Sequence, residues 1–447
     1  MIEISRAEAW PLSLYPEVSG QSSLILSHYA IVVEYKEGYL LHHTITWCMY
    51  YLTKEEYDDI FNNDEMKKLK IVLDSSIDED SIAERVYLMR AELKTPFKMD
   101  SFKQYVIMTT SACNARCPYC YEKGIAAITM NEKTAEDVVQ FIKKTHKGLV
   151  SIRWFGGEPL LNTKVIEYIS RRLNEEGIDF YSEMITNGYF LEKYVTEFGV
   201  WRINKIQVTI DNINGKYDEI KRFVSKDEDP FKRVISGIHR YLLLEDSVIG
   251  VRINVSDDNI DDLENIFQYL GDEFGNDIAN GKMVVSSPMV FSITCDKYGD
   301  KPLEMWERIK AAREKFPNVF PRNDDKKGLI LKTDLHYCTS DIGLGIVINP
   351  AGKFSPCEHW KDEEAVGDVV NGLTNKEKVE EWRLKGGKNI EFCKKMRCQI
   401  LPTCKHSYKC DACPVCSTER KFENALKNEK GAIIRTYEYY LKKISEK

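Results

Sequence analysis

The stretch CNARCPYC places Cys113, Cys117 and Cys120 within eight residues, and no other feature restricts the chain more. Thirteen cysteines occur in 447 residues; three are these, and eight more fall between Cys338 and Cys416. Clustered cysteines in a chain with no visible secretory signal point to metal ligation, not disulfides. The N-terminus MIEISRAEAWPLSLYPEV has no basic segment leading into an apolar run. No uncharged apolar run approaches the roughly 18–20 residues that a membrane span requires. A cytoplasmic protein with no membrane partner is therefore expected. The net charge of −7 argues against a nucleic-acid partner.

Length and composition fit two or three domains. Residues 1–100 read as a small α+β module. AIVVEY is a strand, Glu37-Gly38 a turn, and YLLHHTITWCMYYL a second strand. Thr53 followed by Glu56 predicts a capped helix, and a second helix is expected in SSIDEDSIAERVYLMRAEL. Over 101–325, strand-like QYVIMTT, VSIRWFGG, FYSEMITNG, KIQVTID and GVRINVS alternate with helical TAEDVVQFIKK, KVIEYISRRLNEEG and IDDLENIFQYL. Such alternation predicts α/β architecture, a parallel sheet with crossover helices and its ligand site at the carboxyl ends of the strands. Residues 326–425 form a cysteine-rich region, and 426–447 a C-terminal helix.

Thiolates are soft ligands for iron–sulfur clusters, zinc or Cu(I). Three cysteines at CxxxCxxC wrap one corner of a [4Fe–4S] cubane and leave one iron without a protein ligand, open to a small molecule. Half a zinc site is the competing reading. CNARCPYC resembles the cluster motif of the radical S-adenosylmethionine (SAM) enzymes. The resemblance spans about residues 100–325 and implies a partial (β/α)6 TIM-like barrel whose open iron binds SAM and yields a 5′-deoxyadenosyl radical. It implies SAM binding by Gly156, Gly157, Glu158 and Pro159 of FGGEP, by Thr186 and Asn187 of TNG, by Thr209 of QVTID, and by Arg252 and Asn254 of VRINV. Tyr119, inside the cysteine motif, is placed there too. Asp211 matches a residue proposed as a base in sulfatase-maturing members.

The later cysteines resemble the SPASM extension, which holds two auxiliary [4Fe–4S] clusters, for three in all. By that pattern Cys338, Cys357 and a late cysteine, first Cys410, hold one cluster. Cys393, Cys398, Cys404 and Cys413 or Cys416 hold the other. The Cys393–Cys398 and Cys404–Cys410 spacings depart from the pattern, and CDACPVC and CKKMRC alone read as zinc knuckles. Cys48 reads as a core thiol. Cys295, in the apolar run VFSITC of an expected last barrel strand, reads as a core thiol or as a group facing the active site, where it would serve as a hydrogen-atom donor.

The resemblance implies a radical SAM maturase that modifies a ribosomally made peptide, a thioether crosslink being the first expectation. A leader peptide would pair with a winged-helix-like N-terminal module, with HHTITWCMYYL as the exposed β-edge. An external donor such as flavodoxin or ferredoxin would supply electrons. The alternatives are a sulfatase-maturing (formylglycine-forming) enzyme, a peptide epimerase, a carbon–carbon crosslinking enzyme, an RNA-modifying radical enzyme, and a non-catalytic electron-transfer or zinc scaffold.

Overall fold

The computed structural model describes residues 1–17, 23–92, 102–225, 229–290, 301–321, 345–358, 365–379, 390–404 and 418–446. The chain divides into two units. One comprises Met1–Lys94, Asn323–Tyr337 and Arg383–Lys447, the other Thr95–Arg322 and Cys338–Trp382.

In the first unit, β1 (Ile2–Ser5), β2 (Leu24–Leu26), β3 (Ala30–Tyr35), β4 (Gly38–His43), β5 (Cys48–Thr53) and β6 (Val72–Asp74) make two antiparallel sheets. The larger runs β1-β5-β4-β3 and the smaller pairs β2 with β6. Among the helices that accompany them are Lys54–Asp58, Asp64–Lys68 and Glu79–Glu92. The first opens with the expected capping box, in which the Glu56 N–H donates to Thr53 Oγ1 at 3.2 Å and the Thr53 N–H to Glu56 Oε2 at 2.9 Å. The single strand expected over YLLHHTITWCMYYL is two strands. Residues 44–47 turn the chain, with Trp47 at φ +63°. The turn contains no Gly, Pro or Asn and so gives no signal in the sequence. It is held instead by the Thr44 N–H on Tyr29 O (3.0 Å) and by the contact between His43 Nδ1 and Thr46 Oγ1 (2.7 Å). The expected exposed edge is also corrected: β4 and β5, which carry HHTITWCMYYL, lie inside the sheet, and the edges are β1 and β3. Cys48 is a buried core thiol.

In the second unit, β7 (Phe102–Thr110), β8 (His146–Gly156), β9 (Phe180–Thr186), β10 (Ile203–Thr209), β11 (Val248–Arg252) and β12 (Met283–Ser286) lie parallel and in chain order. Helices Glu132–Thr145, Thr163–Glu175, Pro230–Leu242 and Leu263–Ala279 bridge successive strands. They cover Ile152, Trp154, Phe180, Met184, Ile206 and Val208, all buried. Removing such large apolar side chains from water contributes roughly 1.5–3 kcal/mol each. Alternate residues, among them Tyr181 and Glu183, point to the other face and stay more exposed. The sixth strand is β12; in VFSITC, Val290 is buried and residues 291–295 lie outside the described residues.

β13 (Gly345–Ile348) joins β7 in parallel, and β14 (Lys353–Ser355), β15 (Gly367–Asp368) and β16 (Gly372–Leu373) continue the sheet antiparallel. The single domain expected over 326–425 is therefore divided. Its β13–β16 segment hydrogen-bonds into the second unit, whereas Cys393, Cys398 and Leu401 pack with Tyr87 in the first. The final helix runs Glu419–Ser445, starting before residue 426 because Thr418 Oγ1 caps it at the Lys421 N–H. Among the described residues no helix is long and apolar enough to cross a membrane.

Candidate active site at the strand ends

The cysteine motif lies in the loop after β7, and the carboxyl ends of β8–β11 gather around it. β8 ends in the glycine pair. Gly156 has φ +122°, and a Cβ there would meet Thr110 O at 2.1 Å; a Cβ on Gly157 would meet Ala112 O at 2.4 Å. The two residues that follow the glycine turn bond to the same backbone: the Gly157 N–H donates to Thr110 O (2.9 Å) and the Glu158 N–H to Ala112 O (3.0 Å). The glycines thus let the β8 end lie directly on the start of the cysteine loop.

Glu158 is fully buried and ties three segments together. Its carboxylate accepts from the Thr186 hydroxyl (2.8 Å), the Asn187 N–H (2.8 Å) and the Leu160 N–H (3.0 Å). Burial raises its pKa to about 7, against those three hydrogen bonds, which lower it. Pro159 is buried at the first position of the short turn that Glu158 caps. Asn187 Nδ2 donates to Asn114 Oδ1 (2.7 Å) and approaches Cys113 Sγ (3.8 Å). FGGEP, TNG and the cysteine loop therefore form one connected patch.

A second patch centres on Asp211, also fully buried. Its Oδ2 pairs with Lys221 Nζ at 2.6 Å and accepts from the Tyr119 hydroxyl; its Oδ1 accepts from the Asn254 N–H at 2.8 Å. Lys221 Nζ also donates to Thr209 Oγ1 (2.7 Å) and to Tyr119 Oη (3.2 Å). Arg252 Nε donates to Asn254 Oδ1 (2.7 Å), and burial lowers the Arg252 pKa. Burial lowers the Lys221 pKa; Asp211, Cys117 and Tyr217 together raise it by more, so the ammonium stays charged. Lys221 and Asn114 carry no sequence signal of this role. A lysine in the last turn of NGKYDEIK reads as a solvated helix terminus.

The chemistry of the loop fits an iron–sulfur ligand set. Cys113, Cys117 and Cys120 are free thiols, and burial pushes Cys113 up to about 11, so it needs a cationic centre to become a thiolate. The Ala115 N–H points at Cys113 Sγ from 3.4 Å, a donor suited to a cluster sulfur. Asn114 Nδ2 is buried without a hydrogen-bond partner beside it. Among the described residues no three Cys, His, Asp or Glu side chains converge as a ready metal site. Burial raises the Tyr121 pKa, with smaller contributions from Glu122, Glu358, Cys120 and Cys357. In the first unit Cys393 and Cys398 bond to each other, the Cys398 N–H donating to Cys393 O at 2.9 Å, and Cys404 follows the short turn Leu401–Thr403. Cys295, Cys338, Cys410, Cys413 and Cys416 lie outside the described residues.

Towards the amino ends of the strands, on the sheet face away from the helices, is a cavity of about 520 Å³. Its lining includes Arg153, Glu183, Lys205, Asp246, Tyr181 and Asn204. Glu183 pairs with both cations, Arg153 at 2.5 Å and Lys205 at 3.5 Å.

Residues 107–270 match the family model described as the radical SAM superfamily. A GTP 3',8-cyclase of Alkaliphilus oremlandii is 26% identical over 301 residues, 62% of this chain and 86% of that protein. A GTP 3',8-cyclase of Alkaliphilus metalliredigens is 30% identical over 181 residues, 37% of this chain and 54% of that protein. Among solved structures, a histidine-tagged anSMEcpe with bound AdoMet aligns with a TM-score of 0.52 at 18% identity, covering 78% of this chain and 98% of that one. At that identity the likeness is one of fold.

Proposed function

This chain is an enzyme built around a radical SAM domain, and on that premise we propose that it modifies a peptide, with a thioether crosslink as the first product to seek. The radical SAM domain implies a [4Fe–4S] cluster on Cys113, Cys117 and Cys120 together with SAM. When bound, these supply a 5′-deoxyadenosyl radical that removes a hydrogen atom from substrate. The protein's own part is positioning and exclusion of water. The Glu158 hub fixes the loop and the Thr186–Asn187 strand end, and Thr209, Arg252 and Asn254 line the neighbouring ends. In a thioether the substrate loses one hydrogen atom from carbon and one proton from the cysteine thiol, and the remaining electron leaves through an acceptor. Two auxiliary clusters, drawn from Cys338, Cys357, Cys393, Cys398, Cys404, Cys410, Cys413 and Cys416, are proposed for that acceptor role.

One observation carries the choice of a peptide: the eight late cysteines, whose order resembles the SPASM extension found in peptide-modifying radical SAM enzymes. The N-terminal module, winged-helix-like in this reading, is proposed to hold the leader peptide by strand addition at β1 or β3. Flavodoxin or ferredoxin is proposed as the electron donor.

A second reading has a specific support. The GTP 3',8-cyclase relatives favour a nucleotide substrate. The test is anaerobic turnover of the reconstituted enzyme with SAM and dithionite. One set of reactions contains short cysteine-bearing peptides encoded beside the gene, the other GTP. A peptide that loses two hydrogens and resists thiol alkylation supports the proposal. Consumption of GTP with the peptides untouched replaces it with the cyclase reading.

A further inference from the structure

Lys221 belongs to no motif, yet it is 1% exposed and sits at the centre of the site. Its three ammonium protons go to Asp211 Oδ2, Thr209 Oγ1 and Tyr119 Oη at 2.6, 2.7 and 3.2 Å. Its own carbonyl accepts from the Arg116 N–H at 2.9 Å and from Cys117 Sγ at 3.8 Å. Three residues on, the Val224 N–H donates to Asn114 O at 2.8 Å. The chain can present both the side chain and the carbonyl because Arg222 adopts φ +51°, ending the helix Asn214–Lys221 at that point.

We infer that Lys221 is a positioning residue for the cysteine loop, and that Asp211 is its anchor and not a general base. The inference rests on the radical SAM reading only for what the loop holds. Asp211 is fully buried with both oxygens engaged: Lys221 and Tyr119 take one, the Asn254 N–H takes the other, and Asn259 Nδ2 holds its backbone carbonyl at 2.6 Å. From the end of the helix Asn214–Lys221, Lys221 reaches to the loop and locks the segment between Cys117 and Cys120 through Tyr119. Its ammonium, paired with Asp211, also acts electrostatically on Cys117 and Cys120. A cation near a cluster favours its reduced form, so Lys221 raises the potential of any cluster that Cys117 ligates.

The experiment compares K221M, K221R, D211N and the K221M/D211N double variant. In metal-free protein, K221M should lower Tm by about 5 °C or more, because it strands a buried carboxylate. The double variant should recover at least half of that loss, and K221R most of it. In reconstituted protein, K221M should shift the cluster's midpoint potential, followed by EPR, to a more negative value, with K221R close to wild type. Additive Tm losses, or an unchanged potential in K221M, would overturn the inference. So would a D211N variant with wild-type Tm and potential that still abstracts the substrate hydrogen atom but no longer completes the proton transfer to product, since Asp211 would then be the base. Wild-type protein that takes up no iron sinks the radical SAM reading instead, and the metal-free Tm comparison still decides the clamp.

Discussion

At the scale of single residues, the motifs FGGEP and TNG were legible because their order after CxxxCxxC is distinctive. Their roles were legible only in part. The glycine pair was expected to let backbone approach a ligand; in the fold it lets the β8 end lie against Thr110 and Ala112 of the chain's own loop. Gly157→Ala should therefore displace the loop, since the clash is with backbone and nothing flexible can yield. A cost of roughly 1–3 kcal/mol is expected from such overpacking. Chemical denaturation and iron content after reconstitution measure it, with Gly199→Ala, where a Cβ meets nothing, as the control. Glu158→Gln replaces an acceptor by a donor facing backbone N–H groups and should cost roughly 1–3 kcal/mol. Its pH dependence has a definite sign. Burial raises Glu158 from near 4.5 to about 7, so the folded state binds the extra proton between those values. The stability contributed by the protonated form is complete below the lower value and lost as pH rises through the upper one. The wild-type advantage over Glu158→Gln should shrink from pH 5 to pH 7.5 in metal-free protein; a flat difference would show that Glu158 is already ionised.

At the scale of elements, regular periodicity was readable and irregular turns were not. Helices in TAEDVVQFIKK, KVIEYISRRLNEEG and IDDLENIFQYL appear where expected, the first opened by Asn131, whose side chain accepts from the Thr134 N–H. The β4–β5 hairpin was missed because its turn is stabilised by side chains instead of by glycine or proline. The helix Glu419–Ser445 was placed late because Thr418, as cap, lies among cysteines and charges that hide it. That helix seals the first unit's sheet. Ile433 is fully buried with Ile31, Leu40 and Met49, and Tyr437 stacks on Tyr51 at 5.1 Å between centroids and meets Tyr35 edge-on at 5.6 Å. Ile433→Ala should cost roughly 2–5 kcal/mol. Hydrogen exchange should then speed up in the helix and in β3 together, while β7–β12 keep their protection. Equal loss of protection in β7–β12 would contradict the separation into two units.

At the scale of the whole molecule, alternation of strands and helices announced the parallel core, but the division of the chain was not visible. Gly345 pairs with Gln104, and Tyr87 packs with Cys393 and Cys398; contacts so distant in sequence leave no periodic trace. Iron stoichiometry is the measurement at this scale. The cysteines at 113, 117 and 120 suffice for one cluster, and the eight between 338 and 416 for two more. Reconstituted wild type should therefore bind about twelve irons, and a C113A/C117A/C120A variant about eight. That variant should form no 5′-deoxyadenosine. A C393A/C398A/C404A variant should keep SAM cleavage, because the first loop draws no ligand from those residues, but should lose the crosslinked product if auxiliary clusters accept the substrate electron. Wild type with about four irons plus zinc would leave the radical SAM domain standing and remove the auxiliary clusters. The late cysteines would then be a structural zinc site, and the thioether proposal would need another electron acceptor.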